Sequence, residues 1–230
     1  MQGINSDRSP IHRARALGFG ALLALQLLSA AAADDTAAPM QGEHPMNGMK
    51  GMPGAGGMGM PMGGNNAVRE HEVNLTIPPL KLVRDDGRAV QLDRELNDGR
   101  PVLINFIYTT CFGICPISSQ TFSQFQARLG GEAEKVHLVS VSIDPEEDTP
   151  SVLHKYAKKY NAGPSWNHYT GTSEASISAQ KAFQVYKGDK MNHDPVTLMR
   201  AAPGKPWVRI DGFATAEDLL RTYRRLLGNS

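Results

Sequence analysis

The sequence predicts an α/β domain, a central mixed sheet flanked by helices with a β-hairpin at its N-terminal side. Three observations carry that prediction. Residues 102–108 form a nearly unbroken apolar run, as expected of a strand covered on both faces, and residues 136–143 form a second one. Around them apolar residues recur at helical spacing, first Phe122, Phe125 and Leu129, then Leu219, Leu220, Tyr223 and Leu227. The region that carries these patterns, residues 68–230, is long enough to bury one sizeable core.

Taken in order, residues 75–77 and 80–83 read as short strands separated by Pro78-Pro79. After the turn signal Asp85-Asp86-Gly87, residues 88–92 pair back. Residues 102–108 are the central strand, and a helix over 117–129 ends at Gly130-Gly131. The next buried strand spans 136–143. Thr149-Pro150 opens a helix that reaches Tyr160, with proline in its first turn. Ser173 is placed to cap a helix over 174–185. Residues 196–199 and 207–210 read as strands paired across an Ala-Pro-Gly-Lys-Pro turn, and Thr215 caps a closing helix over 216–227. Strand–helix–strand–helix followed by a hairpin and a helix is a thioredoxin-like order.

The N-terminal third reads differently. Arg13 and Arg15, an apolar run from Ala16 to Leu28 and the small residues Ala31-Ala32-Ala33 describe a secretory signal peptide over 1–33. The alternative is a retained membrane anchor, since the apolar run reaches about the shortest length that spans a bilayer. Either places the remainder outside the cytoplasm, in the periplasm. Residues 34–67 hold almost no Val, Ile, Leu or aromatic side chains, and such a stretch is expected to stay disordered. Met40, Met46, Met49, Met52, Met58, Met60 and Met62 lie there together with His44. Methionine without a core to fill has no packing use, and a thioether prefers Cu(I). His44 and Met46 to Met62 are therefore auxiliary copper donors that collect the ion, or else incidental residues of a low-complexity tether. A net charge of +1 and the lack of a basic stretch argue against a nucleic-acid partner.

Cys111-Phe112-Gly113-Ile114-Cys115-Pro116 follows the central strand and opens the next helix. Residues four apart share a helix face, so both sulfurs point to one spot. The positive end of a helix favours thiolate, and Pro116 suits a first-turn position. Such a pair is a metal clamp or an exchangeable disulfide; a structural disulfide is the plain alternative in an oxidising compartment. Two thiolates select a soft ion such as Cu(I), and an added imidazole suits Cu(I) or Cu(II). Zinc would want a fourth protein ligand.

Asn105-Phe106-Ile107-Tyr108-Thr109-Thr110-Cys111 through Cys115-Pro116 resembles the signature of the SCO/SenC family. So do the acidic segment Asp144-Pro145-Glu146-Glu147-Asp148-Thr149-Pro150, Trp166 with Tyr169-Thr170-Gly171, and His193 shortly before a strand. The resemblance covers residues 72–227. It implies the same thioredoxin-like fold, with copper bound by Cys111, Cys115 and His193. It further implies delivery to the dinuclear copper centre of cytochrome c oxidase, reduction of that centre's cysteines, or both. The partners would be a copper-receiving protein such as an oxidase subunit, or a thiol-disulfide partner. Among the other histidines, His137 sits inside a strand, His154 faces outward, and His71 and His168 lie near element ends. Met191-Asn192 stands where the family commonly has Val-Asp, so Met191 is either a soft auxiliary ligand or a loop hydrophobe. Asp194-Pro195 is similar to the proline that faces the dithiol in redox thioredoxins, which keeps open an oxidoreductase in which Cys111 attacks and Cys115 resolves. Asp144 and Asp148 either orient the site from behind or cap the helix that begins near Thr149.

Overall fold

The structure, a computed structural model, describes residues 68–228. The expected leader over 1–33 and the Met/Gly-rich stretch over 34–67 lie outside the described residues. Eight strands, β1 (Arg69–Val73), β2 (Lys81–Arg84), β3 (Ala89–Gln91), β4 (Val102–Ile107), β5 (His137–Ser142), β6 (Trp166–Thr170), β7 (Val196–Arg200) and β8 (Trp207–Asp211), make one sheet. Their spatial order is β1-β8-β7-β4-β5-β6-β2-β3. β4, β5 and β6 run parallel, whereas β7 opposes β4 and β8 opposes β7, so the sheet is mixed. Five helices cover it: α1 (Leu92–Glu95), α2 (Ile114–Leu129), α3 (Pro150–Lys159), α4 (Ser173–Ala182) and α5 (Ala216–Leu226).

All six residues of β4 are buried, because strand alternation sends them to two apolar layers. Leu103 and Ile107 face Phe122 and Phe125 of α2, Leu153 of α3, and Leu219 and Tyr223 of α5. Val102, Ile104 and Phe106 face the opposite layer, with Leu92 of α1, Ala179 of α4, Phe183 and Trp207. Phe122 and Phe125 are wholly buried, each stabilising the fold by about 2–3 kcal/mol through removal from water. Thr149 caps α3 by accepting from the Val152 N–H, and Thr215 caps α5 in a reciprocal capping box with Asp218.

The chain departs from expectation at four places. Residues 75–77 form no strand; Pro78-Pro79 cannot donate ladder hydrogen bonds, and Leu75 and Ile77 instead rest half-buried on the second layer. The strand on that side of the sequence is β1, which pairs with β8 at the opposite sheet edge from the β2–β3 hairpin. Residues 166–170 form β6, a strand that no apolar run in the sequence marks. Thr172, not Ser173, caps α4, accepting from the Ala175 N–H at 3.1 Å.

Strand direction fixes where the site lies. Asn105 pairs with Thr197 and Val196 pairs with Asp211, so the C-terminal end of β4 and the N-terminal end of β7 lie at the same end of the sheet's central strands. The cysteine loop leaves from the first, and His193 immediately precedes the second.

Candidate metal centre

α2 begins at Ile114, which puts Cys115 in its first turn and leaves Cys111 in the loop that follows β4. Cys115 is fully buried and Cys111 half-buried, and both are free thiols. The Tyr108 N–H donates to Cys115 Sγ at 3.4 Å, and His193 Nε2 lies 3.5 Å from the same sulfur. On the other side of the ring, His193 Nδ1 is 3.0 Å from the Lys190 carbonyl. A carbonyl can only accept, so Nδ1 carries the proton and the Nε2 lone pair faces the sulfur. Burial lowers the His193 pKa, which keeps that tautomer neutral.

The two thiols differ sharply. Burial works to raise Cys111, but the N–H groups of Cys115 and Gly113, with the side chains of Cys115 and Tyr108, outweigh it and bring its pKa below the ordinary cysteine value. Burial pushes the Cys115 thiol far up. Among the described residues, no three His, Cys, Asp or Glu side chains are already closed around one point. Cys115 and His193 meet, and Cys111 stands beside Cys115 at the mouth. The donor chemistry, two thiols with a neutral imidazole, nevertheless fits a soft ion and no hard one.

The two acidic residues hold the two halves of this arrangement. Asp148 is wholly buried and accepts from the Thr109 N–H at 3.2 Å, the Thr109 hydroxyl at 2.5 Å and the Ser142 hydroxyl at 2.6 Å. It thereby pins the loop two residues before Cys111, and the expectation that it caps α3 falls, since Thr149 does so. Asp144 pairs with Lys190 Nζ at 2.6 Å, and Lys190 is the residue whose carbonyl orients His193. Lys190 carries no mark in the sequence, and Tyr108 shows there only as part of the central strand and of the family signature. By position, one lies three residues before the histidine, and the other directly follows the strand that leads to the cysteines.

A cleft of about 490 Å³ opens over the site, lined by Tyr108, Cys111, Phe112, Lys190, Met191 and His193 among others. Phe112 is 99% exposed and Met191 70%. The remaining described histidines lie elsewhere. His137 bonds Asn167 and faces the Glu95 carbonyl, His154 meets Asp85, and His71 meets Asp211. His168 is buried in mid-β6 and His71 lies within β1, so neither sits at an element end.

A family model for SCO1/SenC matches residues 68–228. The SCO1 protein homolog of Bacillus subtilis (strain 168) is 34% identical over 116 residues, covering 49% of this chain and 59% of that protein. Protein SenC of Rhodobacter capsulatus is 31% identical over 121 residues, covering 53% of each. The chain thus spans little more than half the length of these relatives. Among solved structures, Bradyrhizobium japonicum ScoI with copper bound superposes with a TM-score of 0.55 at 26% identity, over 65% of this chain and 98% of that one. BsSco, a member of the Sco family of cytochrome c oxidase assembly proteins in which a disulfide switch was identified, gives 0.57 at 26% identity, over 70% and 98%. With a match that runs through every described residue and a thioredoxin-like sheet beneath the paired cysteines, the chain belongs to the SCO1/SenC family.

Proposed function

We propose that this chain is a copper metallochaperone. Cys111, Cys115 and His193 take up Cu(I) as cargo and pass it by ligand exchange to a copper-receiving protein such as an oxidase subunit. The observation that carries this reading is the 3.5 Å approach of His193 Nε2 to Cys115 Sγ, with the Lys190 carbonyl turning the free lone pair toward the sulfur. Cys111, thiolate-prone and accessible at the mouth, supplies the second sulfur. The copper-bound state of the Bradyrhizobium japonicum relative supports the same reading. Export to the periplasm belongs to it, on the strength of residues 1–33, as does collection of the ion by His44 and the methionines of residues 46–62.

Titration with Cu(I) against a competing chelator tests the proposal. Cys111→Ser, Cys115→Ser and His193→Ala should each weaken binding by about 10–100-fold or more. Wild-type affinity in His193→Ala would refute it.

A second reading, a thiol-disulfide oxidoreductase, draws on the contrast between the two thiols. The Cys111 thiolate would attack a partner disulfide, giving a mixed disulfide and one partner thiolate. Cys115, on losing its proton, would attack the Cys111 sulfur and release the second partner thiolate, leaving this chain oxidised and the partner reduced. The disulfide switch of BsSco is consistent with such chemistry. If disulfide reduction needs both cysteines while His193→Ala leaves copper affinity untouched, this reading replaces the first.

A further inference from the structure

Met191 lies two residues before His193 and is 70% exposed, yet its sulfur is engaged: the Tyr108 hydroxyl donates to Met191 Sδ at 3.5 Å. Cys111 lines the same cleft as Tyr108. The Tyr108 ring meets the His193 ring edge-on, with centroids 5.3 Å apart, and Lys190 Nζ sits 5.7 Å over the ring's centre. One tyrosine therefore touches a thioether and an imidazole at a single opening, and both line the same cleft as the Cys111 thiol. A leucine would cover as much apolar surface as methionine; what methionine adds is a soft, uncharged donor.

We infer that Met191 is the outermost donor of this centre, a thioether through which Cu(I) enters and leaves. The inference rests on the copper reading above and specifies its route. Cys115 is wholly buried and His193 is 8% exposed, so an acceptor can approach their ion only through the cleft, where Cys111 and Met191 stand. The Tyr108 hydroxyl has a single proton to donate. Turned away from Met191, it leaves both lone pairs of Met191 Sδ free for the ion. Transfer then shifts Cu(I) outward from Cys115 and His193 to Cys111 and Met191 and on to the acceptor, with no change of oxidation state. Each thiolate of this chain that lets go takes up a proton at its sulfur.

The test uses the full chain loaded with one equivalent of Cu(I), in wild type, Met191→Leu and Cys115→Ser. It has two readouts: the rate of chelator-driven copper removal, and the number of sulfur neighbours by X-ray absorption at the copper edge. Because Met191 is exposed, Met191→Leu should keep the wild-type fold, which a thermal melt checks. Met191→Leu is expected to slow removal by about tenfold and to lose one sulfur neighbour. An unchanged rate overturns the inference, and so does a changed rate with an unchanged sulfur count, which would make Met191 an apolar rim. If Cys115→Ser keeps wild-type affinity, the copper reading itself has failed. If it loses affinity while Met191→Leu matches wild type, only the role of Met191 has.

Discussion

His168 stands in the middle of β6 with its ring wholly buried, and among the described residues neither ring nitrogen has a hydrogen-bond partner. Trp166 stacks on it with centroids 5.2 Å apart, and Tyr156 meets it edge-on at 6.1 Å. Burial holds its pKa well below the ordinary imidazole value, and the charge of Asp85 pulls it back only in part. In mild acid the folded ring therefore stays neutral, while the same histidine in the unfolded chain takes a proton near pH 6.5. The unfolded state then binds more protons, so stability is complete above about pH 6.5 and declines as pH falls toward the folded pKa. Between pH 7.5 and 5.5 this one group should withdraw about 1.4 kcal/mol. His168→Phe removes the titration and the unpaired ring nitrogens but keeps an aromatic partner for Trp166. Any packing cost of the larger ring is the same at both pH values and cancels. Urea unfolding followed by tryptophan fluorescence at pH 7.5 and 5.5 gives the difference directly. His137, also lowered by burial, adds a loss of the same sign in both proteins and drops out likewise. If the stability gap between wild type and His168→Phe is equal at the two pH values, the reasoning is wrong.

Other outcomes follow from the site. Asp148→Ala leaves the Thr109 N–H and two hydroxyls without their acceptor and should destabilise the domain by about 3 kcal/mol or more, read from urea unfolding; a loss under 1 kcal/mol would contradict this. Lys190→Met takes the cation away from the buried Asp144 carboxylate and should cost about 1–3 kcal/mol in stability, and it should weaken Cu(I) binding by about tenfold because the His193 carbonyl partner is no longer tethered to Asp144. Unaltered copper affinity in a chelator titration would refute that role. At neutral pH iodoacetamide should modify Cys111 at least about tenfold faster than Cys115, as measured by peptide mass spectrometry; equal rates would mean that the contrast between the thiols is wrong.

Much of the sheet was legible because its central strands are buried on both faces. Val-Leu-Ile-Asn-Phe-Ile in β4 and His-Leu-Val-Ser-Val-Ser in β5 announce themselves by apolar run alone. α5 was equally plain, with a threonine cap and an apolar stripe. β1 carried no such mark. Arg-Glu-His-Glu is exposed throughout, and the strand is held by pairing with β8 and by Glu70 on Thr222 and Arg225, partners more than 150 residues away. β6 was hidden because its buried residues include His168 and Thr170, polar types that break an apolar pattern. At the site, the cysteine spacing was readable as chemistry, and the histidine came through family resemblance. The roles of Lys190 and Tyr108 were not readable, although Tyr108 lies in the family signature, since those roles exist only once β4 and β7 lie side by side.

The antiparallel seat of β1 has one more consequence. Arg69 sits opposite Asp211, which also faces Val196, so Val68 enters the domain on the flank where the cleft opens, two strands over from the histidine loop. At about 4.8 Å per strand, that is a lateral step of roughly 10 Å. The described chain thus begins beside the cleft. An acceptor approaching the cleft would therefore pass near Val68 and the exposed start of β1.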